Sequence, residues 1–245
     1  MTLGAITFLL AATLLAGFVQ GSIGFGYGLM ILSLTGWWLG VRDAAIVTAP
    51  AALGVNLFLA WRLRKHFRWE RTWPVFVAVV VGAPLGVLFL ARSDPRWLNL
   101  ALGILLLATV AQKLWTHTAK HRWPPVAAGG PVGLLSGALS GAFGTGGPPL
   151  VAYVSSQRFD RLRYVATVQM LLALGNAVRI EEQVRRGLLT VDRLPAAGAA
   201  VAVSVAGALL GLKLLHRLPE KRLSQIVLVF LFAIGAKYVV SVVSG

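Results

Sequence analysis

Six apolar runs dominate the chain, at residues 43–61, 73–91, 97–115, 163–180, 193–213 and 222–243. Each approaches the ~20 predominantly apolar residues that a helix needs to cross a bilayer. Two further apolar stretches are interrupted. Residues 3–40 are broken by Gly21, Gly24, Gly26 and Gly28, and residues 126–157 by Gly141, Gly144, Gly146, Gly147, Pro148 and Pro149. Each reads as two short helices or as one helix plus a re-entrant hairpin. The expected fold is therefore an all-α polytopic membrane protein of 8–10 transmembrane or half-membrane helices with glycine-rich breaks. Composition excludes the soluble alternative. Of 245 residues, 57% are hydrophobic and 13% charged, with a mean hydropathy of +0.77. A soluble domain carries roughly 25% charged residues, which it needs to cover its surface.

The charge pattern fits a membrane chain. The net charge of +15 would suggest nucleic acid in a soluble protein, but here the basic residues fall in short loops between apolar runs, and no nucleic-acid partner is expected. Placing loop 62–72 in the cytoplasm puts 112–125, 157–163 and 213–222 there by alternation. Those four loops hold 15 Lys and Arg against 7 on the opposite side. Trp37, Trp38, Trp61, Trp73, Trp97 and Trp115 sit near segment ends, as in an interfacial belt. No Lys or Arg precedes Arg42, so no cleaved signal peptide is read and the N-terminus is expected to remain in the mature protein. The expected location is a bacterial inner membrane, with the lipid bilayer as a partner. There is no cysteine, hence no disulfide and no thiolate chemistry.

The chain repeats itself. Gly17, Gly21, Gly24 and Gly26 recur 120 residues later as Gly137, Gly141, Gly144 and Gly146, and Asn56 recurs as Asn176. Gly82 and Gly86 match Gly207 and Gly211 at an offset of 125. We read two repeats, residues 1–120 with a break at 21–28 and residues 121–245 with a break at 141–149. Five segments each, an odd number, makes the second repeat inverted relative to the first.

The breaks read GSIGFGYGLM (21–30) and GAFGTGGPPL (141–150). Unwound backbone is tolerated at membrane depth only where it faces protein or a water-filled cavity. Amides opening the next half-helix carry partial positive charge and suit an anion. Pro148 and Pro149 suit a first helical turn. The competing reading is close helix packing through small residues.

The stretches SGALSGAFGTGGPPLVAY (136–153) and LLAGFVQGSIGFGYGLM (14–30) resemble the second-half and first-half glycine elements of the sulfite exporter TauE/SafE family of bacterial membrane transporters. The resemblance covers essentially the whole chain. It implies secondary transport of a small sulfur-containing anion such as sulfite or an organosulfonate.

Polar residues at membrane depth are functional candidates. The expected substrate-binding set is Gly24, Gly26, Gly28, Asn56, Gly144, Thr145, Gly146, Gly147, Gln169 and Asn176. Gln20, Ser22 and Ser140 flank the breaks as further hydrogen-bond donors. Arg179, one turn beyond Asn176 and near a helix end, is expected to snorkel to the interface rather than to draw anions at the outer mouth. No Asp or Glu sits mid-membrane, which disfavours a buried carboxylate proton relay and cation transport. His66, His117, His121 and His216 lie in basic loops, spaced unlike a metal site. No nucleophile–base pair and no phosphate-binding loop is present, so neither enzyme chemistry nor a cofactor is expected.

The reading is an exporter of a small anion that works by alternating access, one half moving against the other around a midplane site. A proton or sodium coupling ion and a homo-oligomer stay open as partners. A passive anion channel and a non-transporting scaffold or accessory subunit are the alternatives.

Overall fold

A computed structural model describes residues 3–67, 69, 72–115, 125–157, 159–190, 194–214 and 220–243. Loop residues Arg68, Glu70, Arg71, His117, Lys120, His121, Arg122, Arg158, Asp192, Arg193, His216 and Arg217, which enter the loop counts and site arguments above, lie outside the described residues.

The described residues are helical throughout apart from turns. In chain order the helices are α1 (Leu3–Ile23), α2 (Tyr27–Leu39), α3 (Val41–Leu63), α4 (Trp73–Arg92), α5 (Pro95–Trp115), α6 (Pro125–Phe143), α7 (Gly147–Ser156), α8 (Arg161–Arg185), α9 (Leu194–Leu214) and α10 (Glu220–Val243). The protein is an all-α multi-pass membrane protein. Segments within α1, α3, α4, α5 and α10 are long and apolar enough to cross on their own. Helix α8, which contains the predicted span 163–180, is long enough but less apolar, because one of its faces is a buried polar stripe. The exposed apolar side chains are those that would face lipid, and Trp37, Trp38, Trp61, Trp73 and Trp97 are all exposed at helix ends.

Both predicted breaks are present, at residues 24–26 and 144–146. Each reverses the chain. Helix α2 folds back along α1, bringing the Trp38 ring to 5.9 Å from that of Phe8. Helix α7 folds back along α6, so that a Cβ at Gly129 would lie 3.5 Å from the Tyr153 hydroxyl. At 13 and 10 residues, α2 and α7 are too short to cross a ~30 Å core at 1.5 Å per residue.

The glycines divide into two jobs. Gly17 and Gly21 lie flat on the backbone of α9 at Ser204 and Ala208, and Gly207 and Gly211 return the contact at Leu14 and Phe18. Gly137 and Gly141 lie on α4 at Val79 and Ala83, with Gly82 and Gly86 against Leu134 and Ala138. In every case a Cβ would collide with a carbonyl, so these positions are close helix packing. Within the two breaks, Gly24 (φ 89°), Gly26 (φ 110°) and Gly144 (φ 66°) adopt the positive φ that ends a helix, as Gly187 (φ 67°) does after α8.

This packing interleaves the chain. Helix α1 runs parallel to α9, and α4 runs parallel to α6, each pair taking one helix from either half of the sequence. Helices α3 and α8 pack antiparallel, Ala45 beside Arg179 at one end and Asn56 beside Gln169 toward the other. Helices α5 and α10 are likewise antiparallel, with Gly103 near Tyr238 and Gly235 near Leu106.

Candidate functional site

Helix α8 is the element that touches both hairpin tips. The first hairpin has its tip at Val165 and Gln169 of α8, while α3 starts beside Arg179. The second has its base packed with Val168 and its tip at Asn176 and Arg179. The hairpins therefore point in opposite directions and pass each other. Gly28, just after the first break, has no room for a side chain because the Gly144 carbonyl and Thr145 stand there. Gly147, just after the second break, faces the Phe25 ring.

Between the tips lies a cavity of about 10 Å³, room for roughly one water molecule. It is lined by Gln20, Phe25, Gly26, Tyr27, Gly28, Leu29, Asn56, Gly144, Thr145, Gly147, Pro148 and Leu172. Six of the sequence-predicted residues thus come together here: Gly26, Gly28, Asn56, Gly144, Thr145 and Gly147. The other four stand behind them. The Gly24 carbonyl accepts a hydrogen bond from Gln169 Nε2 at 2.7 Å. Gly146 is sealed against Ser136 and Ser140. Asn176 donates to the Leu172 carbonyl at 3.0 Å and accepts from Arg179 Nη1 at 3.3 Å.

The first tip is held by a buried amide network. Gln20 Nε2 donates to Asn56 Oδ1 at 2.6 Å and to Gln169 Oε1 at 3.1 Å, and Gln20 Oε1 accepts from the Tyr27 backbone N–H at 2.9 Å. One opening amide of α2 is thus already satisfied by a side chain, while Gly28 and Leu29 are the next in that first turn. The second tip is built differently. Helix α6 closes with Gly144 N–H on the Ser140 carbonyl at 2.8 Å, and α7 opens on Gly147, Pro148 and Pro149. The two prolines remove two of the N–H groups that a helix start would offer. The Ser22, Ser140 and Thr145 hydroxyls, at or beside the tips, are buried and have no hydrogen-bond partner.

Arg179 overturns its expected role. Snorkelling would leave its guanidinium in the interface, yet the residue is 1% exposed. Its Nη2 donates to the Ala45 carbonyl at 2.5 Å and its Nη1 to Asn176, and it fills the space a Cβ on Gly144 would need. The guanidinium points inward because α3 and the second tip offer it polar partners there. Among the described residues no carboxylate pairs with it. Glu182, the nearest acid on the buried side of α8, bonds Arg186 at 2.6 Å and Arg185 at 3.7 Å. Burying an unpaired cation costs on the order of several kcal/mol. The sequence signal for it is a mismatch at the 120-residue offset that pairs Asn56 with Asn176: 120 residues before Arg179 stands Leu59, apolar and buried. Among the described residues no cluster of metal-ligating side chains occurs.

The comparisons agree with the residues that carried the resemblance. The family model described as "Sulfite exporter TauE/SafE" matches residues 9–238. A curated relative from Cupriavidus necator, the "Probable sulfite/organosulfonate exporter TauE", is 26% identical over 96% of this chain and 94% of its own length. No solved structure matches the chain. With the family model spanning nearly the full length and both of its glycine elements forming the opposed tips, the chain belongs to the sulfite exporter TauE/SafE family, transporters rather than enzymes.

Proposed function

We propose that this chain is a secondary transporter that exports a small sulfur-containing anion, sulfite or an organosulfonate, across a bacterial inner membrane. The observation that carries this is the meeting of two oppositely directed hairpin tips at a cavity lined by backbone and amide groups. Residues 1–120 and 121–245 act as inverted repeats; the antiparallel α3/α8 and α5/α10 pairs and the matched α1/α9 and α4/α6 pairs support that division. The amides of Gly28 and Leu29, the Thr145 hydroxyl and Asn56 stand in for the water that the anion sheds.

A cavity the size of one water is too small for a four-atom anion, so this arrangement is the closed one. Binding requires the tips to part, with Phe25 leaving Gly147. The glycine-locked pairs shape how that happens. Because α1 is bonded face to face with α9, and α6 with α4, each moving body contains helices from both halves of the sequence. One carries α1, α2, α3 and α9; the other carries α6, α7, α8 and α4. Their contact runs along α3/α8 and the tips, which is where alternation exposes the site to one side and then the other.

Purified protein in liposomes should carry sulfite or sulfoacetate with saturating flux, and Asn56→Leu should raise the half-saturating concentration. Flux that rises linearly without saturation would replace the transporter by a channel. No flux of either anion, with no stabilisation of the purified protein by them, would leave only a non-transporting role.

A further inference from the structure

We infer that Arg179 is the fixed countercharge for the transported anion, and that Gln183 extends its seat toward the end of α8. The inference rests on the transporter reading and adds the charge that selects its substrate. Three observations carry it. First, Arg179 is buried at the second tip, and among the described residues no carboxylate answers it. Second, two of its nitrogens bond neutral oxygens, of Ala45 and Asn176, while Nε has no partner. Third, Gln183 lies one turn further on the same helix face, fully buried, with neither its Oε1 nor its Nε2 hydrogen-bonded.

A guanidinium with neutral partners keeps its full charge and an open donor. A carboxylate in its place would repel the substrate; a lysine would offer a point charge without the planar fork that matches a sulfur oxyanion. The second tip has given up two helix-start amides to Pro148 and Pro149, and Arg179 supplies positive charge where they are missing. From Arg179 the buried polar face of α8 continues to Gln183, one turn nearer the end of the helix.

The test uses purified full-length protein. Thermal stability is followed while sodium sulfite or sulfoacetate is titrated at constant ionic strength, since a ligand that binds only the folded state raises apparent stability. Four forms are compared: wild type, Arg179→Lys, Arg179→Gln and Gln183→Glu. Wild type should show saturable stabilisation, and Arg179→Lys should need several-fold more anion. Arg179→Gln should need at least 10-fold more. Gln183→Glu places a carboxylate one turn from the guanidinium. It should be more stable than wild type without anion and at least 10-fold weaker with it. That opposition excludes a merely structural tie between α8 and α3, which Gln183→Glu would leave responding to anion as wild type does. Wild-type half-saturation in either Arg179→Gln or Gln183→Glu overturns the inference while the transporter reading stands. Should Arg179→Gln not fold, Gln183→Glu decides alone. A wild type that responds to neither anion overturns this inference, and it overturns the transporter reading with it when liposomes also carry neither anion.

Discussion

The two hairpin tips share one glycine spacing and differ in what holds them. At the first, two left-handed glycines flank Phe25, and the loop is held by neutral amides: Gln20 on the Tyr27 N–H and on Asn56, Gln169 on the Gly24 carbonyl. At the second, Gly144 alone is left-handed, prolines open the next helix, and a buried arginine stands against the loop. At an offset of 120 residues from Gln20, Arg179 and Gln169 stand Ser140, Leu59 and Ala49. The polar machinery of both tips is thus concentrated on α8 and the end of α1. Both tips carry the backbone break because each reverses the chain, whereas the buried arginine stands at the second alone.

Substitutions can break this comparison or sharpen it. The largest effect is expected at Gly144→Ala, where the new methyl meets the guanidinium and the backbone is left-handed. Transport should fall by roughly 100-fold, the scale of an ångström-level misplacement in a binding site. Gly24→Ala shares the left-handed strain but faces only Val165 methyls at 3.7 and 3.9 Å. Its cost should be about 1–2 kcal/mol of stability with transport largely kept. Equal losses in flux assays of the two variants would erase the distinction between the tips. Next comes Gln169→Leu. It leaves the Gly24 carbonyl and the Gln20 carboxamide each short of a partner. Thermal unfolding should register about 2 kcal/mol, the penalty of unmet buried polar groups. Sulfite affinity should shift by less than about threefold, because Gln169 stands behind the cavity and not in its lining; a large affinity loss instead would place Gln169 in the anion seat itself.

The smallest effect is expected from Pro148→Ala. It restores one N–H at the start of α7 while keeping the Pro148-position carbonyl that Gln112 Nε2 bonds at 2.8 Å. One added donor is worth about 0.5–1.5 kcal/mol, so sulfite should bind a few-fold more tightly. Weaker binding would show that the proline-opened turn, and not the arginine, sets the second tip.

Much of the fold was legible because bilayer physics writes itself along the chain. Span lengths follow from thickness, and the two breaks follow from glycines in stretches where lipid would not tolerate unpaired amides. The glycine motifs were read as one feature, yet Gly21 and Gly141 seat helices on α9 and α4 while Gly24, Gly26 and Gly144 turn the chain. No pattern in the letters separates these, since both uses ask for the absence of a Cβ. The partners of Asn56 and Asn176 were hidden for a related reason. Matching residues in a repeat keep their positions but not their neighbours, so one binds Gln20 and the other Arg179.

Apolar length, basic loops and a doubled glycine signature decided, without coordinates, that this chain lives in a membrane and breaks twice. Tertiary structure alone decided which residues meet. Arg179 lies about 9 Å from the end of α8 at 1.5 Å per residue, a depth from which its side chain has the reach to go outward or inward. Its direction depends on what stands at either end of that reach. The Ala45 carbonyl and the Gly144 turn, distant in sequence and brought together by packing, drew it in.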